Sequence, residues 1–163
     1  MSDNMRWRYG DTTPIEIAVD SAVVIEIGDL VALDAAIGTG DAAIPASDQT
    51  WVGLSATQDA FHDVFLGVAM QRSRAGDTAT IRVATTGVFE FVCASATWLV
   101  GDLVGPDDNA TPDALENQQV IKATNIGRAI ARCVKAAATV TTVLVAIESV
   151  AMTGGPQAQA ASS

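Results

Sequence analysis

One histidine, two cysteines and 19 acidic residues are the raw material for chemistry in this 163-residue chain. His62 stands between Phe61 and Asp63 ahead of an apolar run, where a surface or capping role is expected. A serine nucleophile would have to recruit this histidine, and no Gly-x-Ser-x-Gly elbow presents a serine to it. Cys93 and Cys133 are far apart and outside any Cys-x-x-Cys spacing, so no zinc site is expected. Both lie in or beside apolar runs and read as buried free thiols, with a disulfide between them as the alternative. Gly38-Thr39-Gly40-Asp41 is the nearest thing to a phosphate loop, but no Lys-Ser/Thr pair follows to meet phosphate charge. Asp107, Asp108, Asn109 and Asp113 cluster oxygens of the kind Ca²⁺ prefers, yet lack the alternating acidic spacing and closing Glu of a calcium loop. A solvated loop is the expectation there. No nucleophile–base pair, cofactor or metal is nominated, and an enzyme ranks last among the function classes.

The cations are more telling. There are nine Lys and Arg against a net charge of −10, and they are unevenly placed. Arg6 and Arg8 flank Trp7, with Tyr9 next, in an otherwise polar opening segment. Arg72, Arg74 and Arg82 fall in a central hairpin, and Arg128, Arg132 and Lys135 in a second one. Arg and Trp are typical anchors of protein interfaces. The candidate partner contacts are therefore Arg6, Trp7, Arg8, Tyr9, Arg72, Arg74 and Arg132, forming one electropositive end. The competing reading is ordinary solubilising charge on turns. For Trp7 and Tyr9 that reading is weaker, because a segment without its own core has nowhere to bury them. The pI of about 4.2 argues against general nucleic-acid binding. No window has the length of a membrane span, and the opening residues lack the apolar run of a secretory leader.

These residues need a scaffold, and the pattern for it is β. Hydrophobic residues make up 49% and aromatics 5%, so the core is aliphatic. Charged residues, at 17%, fall short of the usual quarter, and mean hydropathy is +0.30, which has two readings of equal weight: surface covered by oligomer or assembly contacts, or an Ala-rich chain that simply scores as apolar. Residues 1–13 show no strand or helix period and read as an arm. Residues 14–150 read as one β-rich domain, and 151–163 as a flexible tail. Strands are expected over 15–19, 23–27, 30–33, 64–70, 78–84, 88–92, 118–123 and 139–148, with a connector over 93–98. Phe89 and Phe91 should share one face and Glu90 the other. Residues 34–50 form a loop of unusual length. One helical turn is expected over 55–63, with Ser55 as its cap and Gln58 three residues on.

An internal near-repeat runs through this pattern. Gly28-Asp29-Leu30-Val31, then 67–72, then 78–83, are matched in order by Gly101-Asp102-Leu103-Val104, 127–132 and 139–145. Arg72 and Arg132 each stand five residues after a matched glycine, Gly67 and Gly127. Two such copies suggest a small all-β barrel or sandwich whose edges close on each other.

The ordered set 65–69, Ala75-Gly76-Asp77-Thr78, Ile81-Arg82-Val83, Gly87-Val88-Phe89-Glu90, 101–104 and Ile126-Gly127-Arg128-Ala129 resembles the capsid cement (decoration) proteins of tailed phages, a family sometimes mislabelled RecA/RadA recombinase. The resemblance spans roughly residues 15–148. It implies a compact all-β, β-barrel-like or tulip-like domain on the outside of an icosahedral head, made in the bacterial host cytoplasm. Its partners would be the major capsid protein and neighbouring copies of itself, a homo-trimer before a dimer. The implied function is stabilisation of the expanded head by clamping neighbouring capsid subunits. The alternative is a head-surface adhesion or carbohydrate-binding module using the long loops.

Overall fold

The structure, a computed structural model, describes residues 3–34 and 42–153. It is 48% strand and 14% helix, so the mainly-β expectation holds. The strands are β1 (Trp7–Tyr9), β2 (Ile15–Ile17), β3 (Leu30–Leu33), β4 (Ala43–Pro45), β5 (Phe65–Ala69), β6 (Ile81–Ala84), β7 (Thr86–Trp98), β8 (Leu103–Asp108), β9 (Leu115–Lys122), β10 (Ala131–Cys133) and β11 (Ala137–Glu148). Two helices accompany them, α1 (Leu54–Val64) and the single turn α2 (Val150–Thr153).

Two five-stranded rings follow one another along the chain. The first has the order β2-β6-β5-β3-β4 and closes through a parallel bridge between Ala18 and Ala42. The second has the order β7-β11-β10-β8-β9 and closes through a parallel contact between Val92 and Gln119. An odd number of strands cannot alternate direction all the way around a ring. One seam must be parallel, and both rings place it between the equivalent strands. Replacing β2–β6 by β7–β11 reproduces every pairing.

The match extends to single hydrogen bonds. Gly28 N–H donates to Ala69 O and Ala69 N–H to Asp29 O, both at 2.9 Å. Gly101 N–H donates to Cys133 O at 2.8 Å, and Cys133 N–H to Asp102 O at 2.9 Å. The near-repeat is thus a duplication of architecture, with one correction. Ala69 is equivalent to Cys133, so Gly67 on β5 has no counterpart in Gly127, which lies in a 3-10 turn before β10. Arg72 and Arg132 are likewise not equivalent. The outer pair does correspond as expected: Val83 pairs with Ile15 as Val145 pairs with Phe89.

Side-chain parity fills the rings. Ile81 and Val83 are buried with Arg82 exposed between them, and Val143, Val145 and Ile147 alternate in the same way on β11. Phe89 and Phe91 are buried on one face and Glu90 is turned outward, as the alternation predicts. The first ring packs Ile17, Val31, Ala43, Leu66, Ile81 and Val83. A larger cluster joins Phe89, Phe91, Val104, Val120 and Val145 to Leu30, Phe65 and Val68 of the first ring, so the rings share a core.

α1 reinforces that junction. It is three turns rather than one, and its N-cap is Gly53, not Ser55. Its buried face, Thr57, Gln58, Phe61 and His62, follows the helical period but is mostly polar in type. Gln58 Nε2 donates to Pro106 O at 2.7 Å, and His62 Nδ1 lies 2.6 Å from Ala129 O, both in the second half of the chain. His62 is fully buried, not the surface group expected from its polar neighbour.

Other boundaries also moved. Residues 93–98 continue β7 instead of connecting, and the strand expected over 23–27 is reduced to a bridge between Ile25 and Ser73. The long loop contains β4 and a 3-10 turn (Ala46–Asp48), while residues 35–41, including the Gly38–Asp41 stretch, lie outside the described residues. Residues 151–153 complete α2, and the rest of the expected tail lies outside the described residues.

Candidate functional site

The opening segment is a strap across both rings. Asp3 Oδ1 accepts from Ile27 N–H at 2.9 Å, and Asn4 N–H donates to Ile27 O at 2.8 Å, which fastens it to the Gly28-Asp29 turn of the first ring. Asp3 Oδ2 meets Arg72 Nη1 at 2.8 Å. The segment then crosses to the second ring, where β1 pairs antiparallel with β7 and Glu90 N–H donates to Arg6 O. It returns through residues 11–13, whose carbonyls accept from Thr85 and Thr86. The sequence shows no strand here because three residues are too few to display a period.

Arg6 and Arg8, two residues apart, have different fates. Arg6 is 8% exposed, and its Nε and Nη2 both donate to Gln118 Oε1, at 3.2 and 2.9 Å. Gln118 Nε2 in turn donates to Asp29 Oδ1 at 2.8 Å. Arg6 is therefore engaged inside the protein, joining strap, second ring and first ring in one line. Arg8 is exposed and pairs with Glu90 at 3.1 Å. Met5, Trp7 and Tyr9 remain 45%, 39% and 53% exposed, with the Trp7 Nε1–H tied to Gly10 O. They stay exposed on a segment that is already held in place.

Of the other expected contacts, Arg72 and Arg74 lie beside this strap. Asp3 is held below the ordinary aspartate range first by the Ile27 N–H, then by Arg72, with Arg74 adding to the effect. Arg132 is elsewhere. Tyr9, Val88, Ala146 and Arg132 are successive partners across four strands, which puts Arg132 roughly 14 Å from Tyr9 along that row. The structure thus leaves Trp7, Arg8 and Tyr9 exposed on the strap strand, places Arg72 and Arg74 beside Asp3 at the start of the strap, buries Arg6 in the body, and sets Arg132 beside the Gly101 turn, whose carbonyl it binds at 3.0 Å.

The equivalent aspartates of the two turns sit in opposite environments. Each Oδ2 accepts from the N–H three residues back, Glu26 for Asp29 and Leu99 for Asp102, both at 2.9 Å. Burial raises the Asp29 carboxyl, opposed by the Glu26 N–H and Gln118. Lys122, 2.7 Å away, lowers Asp102, helped by the Leu99 N–H. Asp102 therefore contributes stability above its unfolded-state pKa, lost as pH falls through its lower folded pKa. Asp29 does the reverse: the folded state binds its proton more tightly, so its contribution declines as pH rises through the raised folded pKa. Carboxyl NMR titration should find Asp102 below the ordinary value of 3.8 and Asp29 above it, with Lys122→Ala moving Asp102 up and leaving Asp29 in place. Equal titration of the two would contradict the network.

No group of three or more His, Cys, Asp or Glu that could hold a metal ion occurs among the described residues. In the acidic loop, Asn109 and Asp113 bond each other, and Asp107 accepts from Asp108 N–H and Gln119, so these oxygens already have donors. Cys93 and Cys133 are buried and free. An open cleft of about 540 Å³ beside α1 is lined by Asp34, Asp48 and Asp63 and is acidic.

No family model matches the chain, and no curated protein matches it. Among solved structures, the chain is similar to the N base of the head fiber gp8.5 of bacteriophage phi29. The two are 12% identical, with a TM-score of 0.50 over 83% of this chain and 95% of that one. At that identity the likeness is one of fold.

Proposed function

We propose that this chain is a structural virion protein, without a reaction of its own, that sits on the outside of an expanded icosahedral phage head and clamps neighbouring major capsid subunits. One observation carries the reading: a segment locked onto the body leaves Met5, Trp7 and Tyr9 exposed to solvent, with Arg8 among them and Arg72 at the Asp3 end of the same segment. Exposed aromatic side chains beside an arginine have the make-up of an interface anchor. The fold shared with a phage head-fiber base supports a place on a head.

A protein that binds only the expanded lattice stabilises that state by mass action. Repeated copies, most simply trimers at three-fold positions, add avidity. Because the strap is already bound to its own body, docking costs less ordering entropy than a free arm would. The likeness to a fiber base favours a second reading, in which the same anchor carries a head-surface adhesion module. Glycan-array binding would identify that case.

The test is loading onto expanded empty heads of the phage that carries the protein. Trp7→Ala with Tyr9→Ala should weaken loading by about 30-fold or more, the loss expected for removing two aromatic anchors, while the folded NMR spectrum is kept. Undiminished loading would remove this face from the interface.

A further inference from the structure

The duplication exposes an asymmetry. In the first ring, residues 3 and 4 cover the Gly28 turn, and a Cβ on Gly28 would lie 2.2 Å from Asn4 O. In the second ring the equivalent turn, Leu99-Val100-Gly101-Asp102, has the same hydrogen bonds and the same glycine geometry, with φ +92° against +96°. Yet among the described residues nothing crosses it. A Cβ on Gly101 would meet nothing within 4 Å, and Leu99 and Val100 are 61% and 69% exposed. Val100 takes the place of Ile27, whose N–H and C=O are the two groups the strap binds.

We propose that this bare turn is a docking site for an extended, acidic segment of another protein, held as Asp3 and Asn4 hold the first turn. The chain itself supplies the precedent for what fits: a carboxylate on the N–H of the second turn residue, a backbone N–H on its carbonyl, and a main chain passing over a glycine. Charge selects the sign. Arg132 binds Gly101 O, Lys122 binds Asp102, and Lys135 lies two residues after Cys133, whose N–H binds Asp102 O. Arg132 and Lys122, two of the nine cations of a chain with net charge −10, thus contact this turn. Among the described residues no carboxylate pairs with Arg132 or Lys135. Arg72 and Arg74 flank Asp3 at the first turn in the same manner. Main-chain hydrogen bonds would supply affinity and the two aliphatic side chains an apolar footing. The inference stands on the isolated protein and does not depend on a place in a virion.

The test is an NMR titration of the ¹⁵N-labelled full chain with a blocked peptide copying residues 1–5. The first turn is already filled, so shifts should concentrate at Leu99–Asp102 and Cys133–Lys135, in fast exchange. Arg132→Glu with Lys135→Glu, both on exposed side chains, should weaken binding by about fivefold or more, the scale of two exposed ion pairs. The peptide with its aspartate replaced by lysine should leave the turn unshifted. Absence of shifts at millimolar peptide, shifts centred elsewhere, or indifference to charge reversal would overturn the proposal. So would a concentration-dependent dimer abolished by Arg132→Glu with Lys135→Glu, which would assign the turn to a second copy.

Discussion

Gly28→Ala should cost about 3 kcal/mol, whereas Gly101→Ala should cost about 1 kcal/mol, although the two glycines have nearly the same conformation. Left-handed strain is common to both. Only Gly28 has a backbone pressed against it, and a methyl group there must push Asn4 away, with the Ile27 hydrogen bonds and the Asp3–Arg72 pair. Urea unfolding of the two variants measures the difference. Hydrogen exchange should locate it, with protection lost along residues 4–9 in Gly28→Ala and kept in Gly101→Ala. Equal costs would mean that the strap contributes little to folding.

Arg6→Ala should destabilise the protein by about 3 kcal/mol, near the cost of breaking a buried charged contact. Two guanidinium donors are lost from the Gln118 Oε1, and the buried Asp29 carboxyl, which Gln118 also contacts, then faces one fewer positive charge. The melting temperature should fall by about 10 °C for a chain of this size. Arg6→Lys should not restore it, since an ammonium cannot present the two-pronged contact. A melting temperature within a degree of the parent would return Arg6 to the surface role its sequence context suggests. The same reasoning explains why removal of residues 1–9 is a poor probe of partner contact: it takes away an internal brace together with the exposed row.

What the sequence made legible was what lies close along the chain. The Gly-Asp turns, the parity of Phe89, Glu90 and Phe91, and the repeated Leu-Val strand after each turn are short-range signals, and all are present in the fold. Its misses have physical causes. The buried face of α1 consists of Thr57, Gln58, Phe61 and His62, so its helical period is invisible to a hydrophobicity reading. Residues 93–98 extend β7 into a two-stranded ribbon where Ala94, Ser95 and Thr97 are exposed, so the parity fades. At the middle strand the sequence pairs Gly67 with Gly127, which look alike, while the hydrogen bonds equate Ala69 with Cys133. Nothing near Arg6 in the chain announces Gln118, 112 residues away, as its partner. Arginine in a polar segment therefore read as a surface anchor when it is a brace.

The duplicated fold turns these details into internally controlled comparisons. Each ring carries the same turn, one covered and one bare. Paired substitutions separate the cost of the local conformation from the worth of what covers it.

The central claim, a structural protein held on the head exterior through its strap face, is tested most directly by a density map of the whole virion. The map should show the two-ring body on the outer surface, in fixed ratio to the major capsid protein, with Trp7 and Tyr9 against capsid density. Absence from the particle, or a location inside the shell, would contradict it.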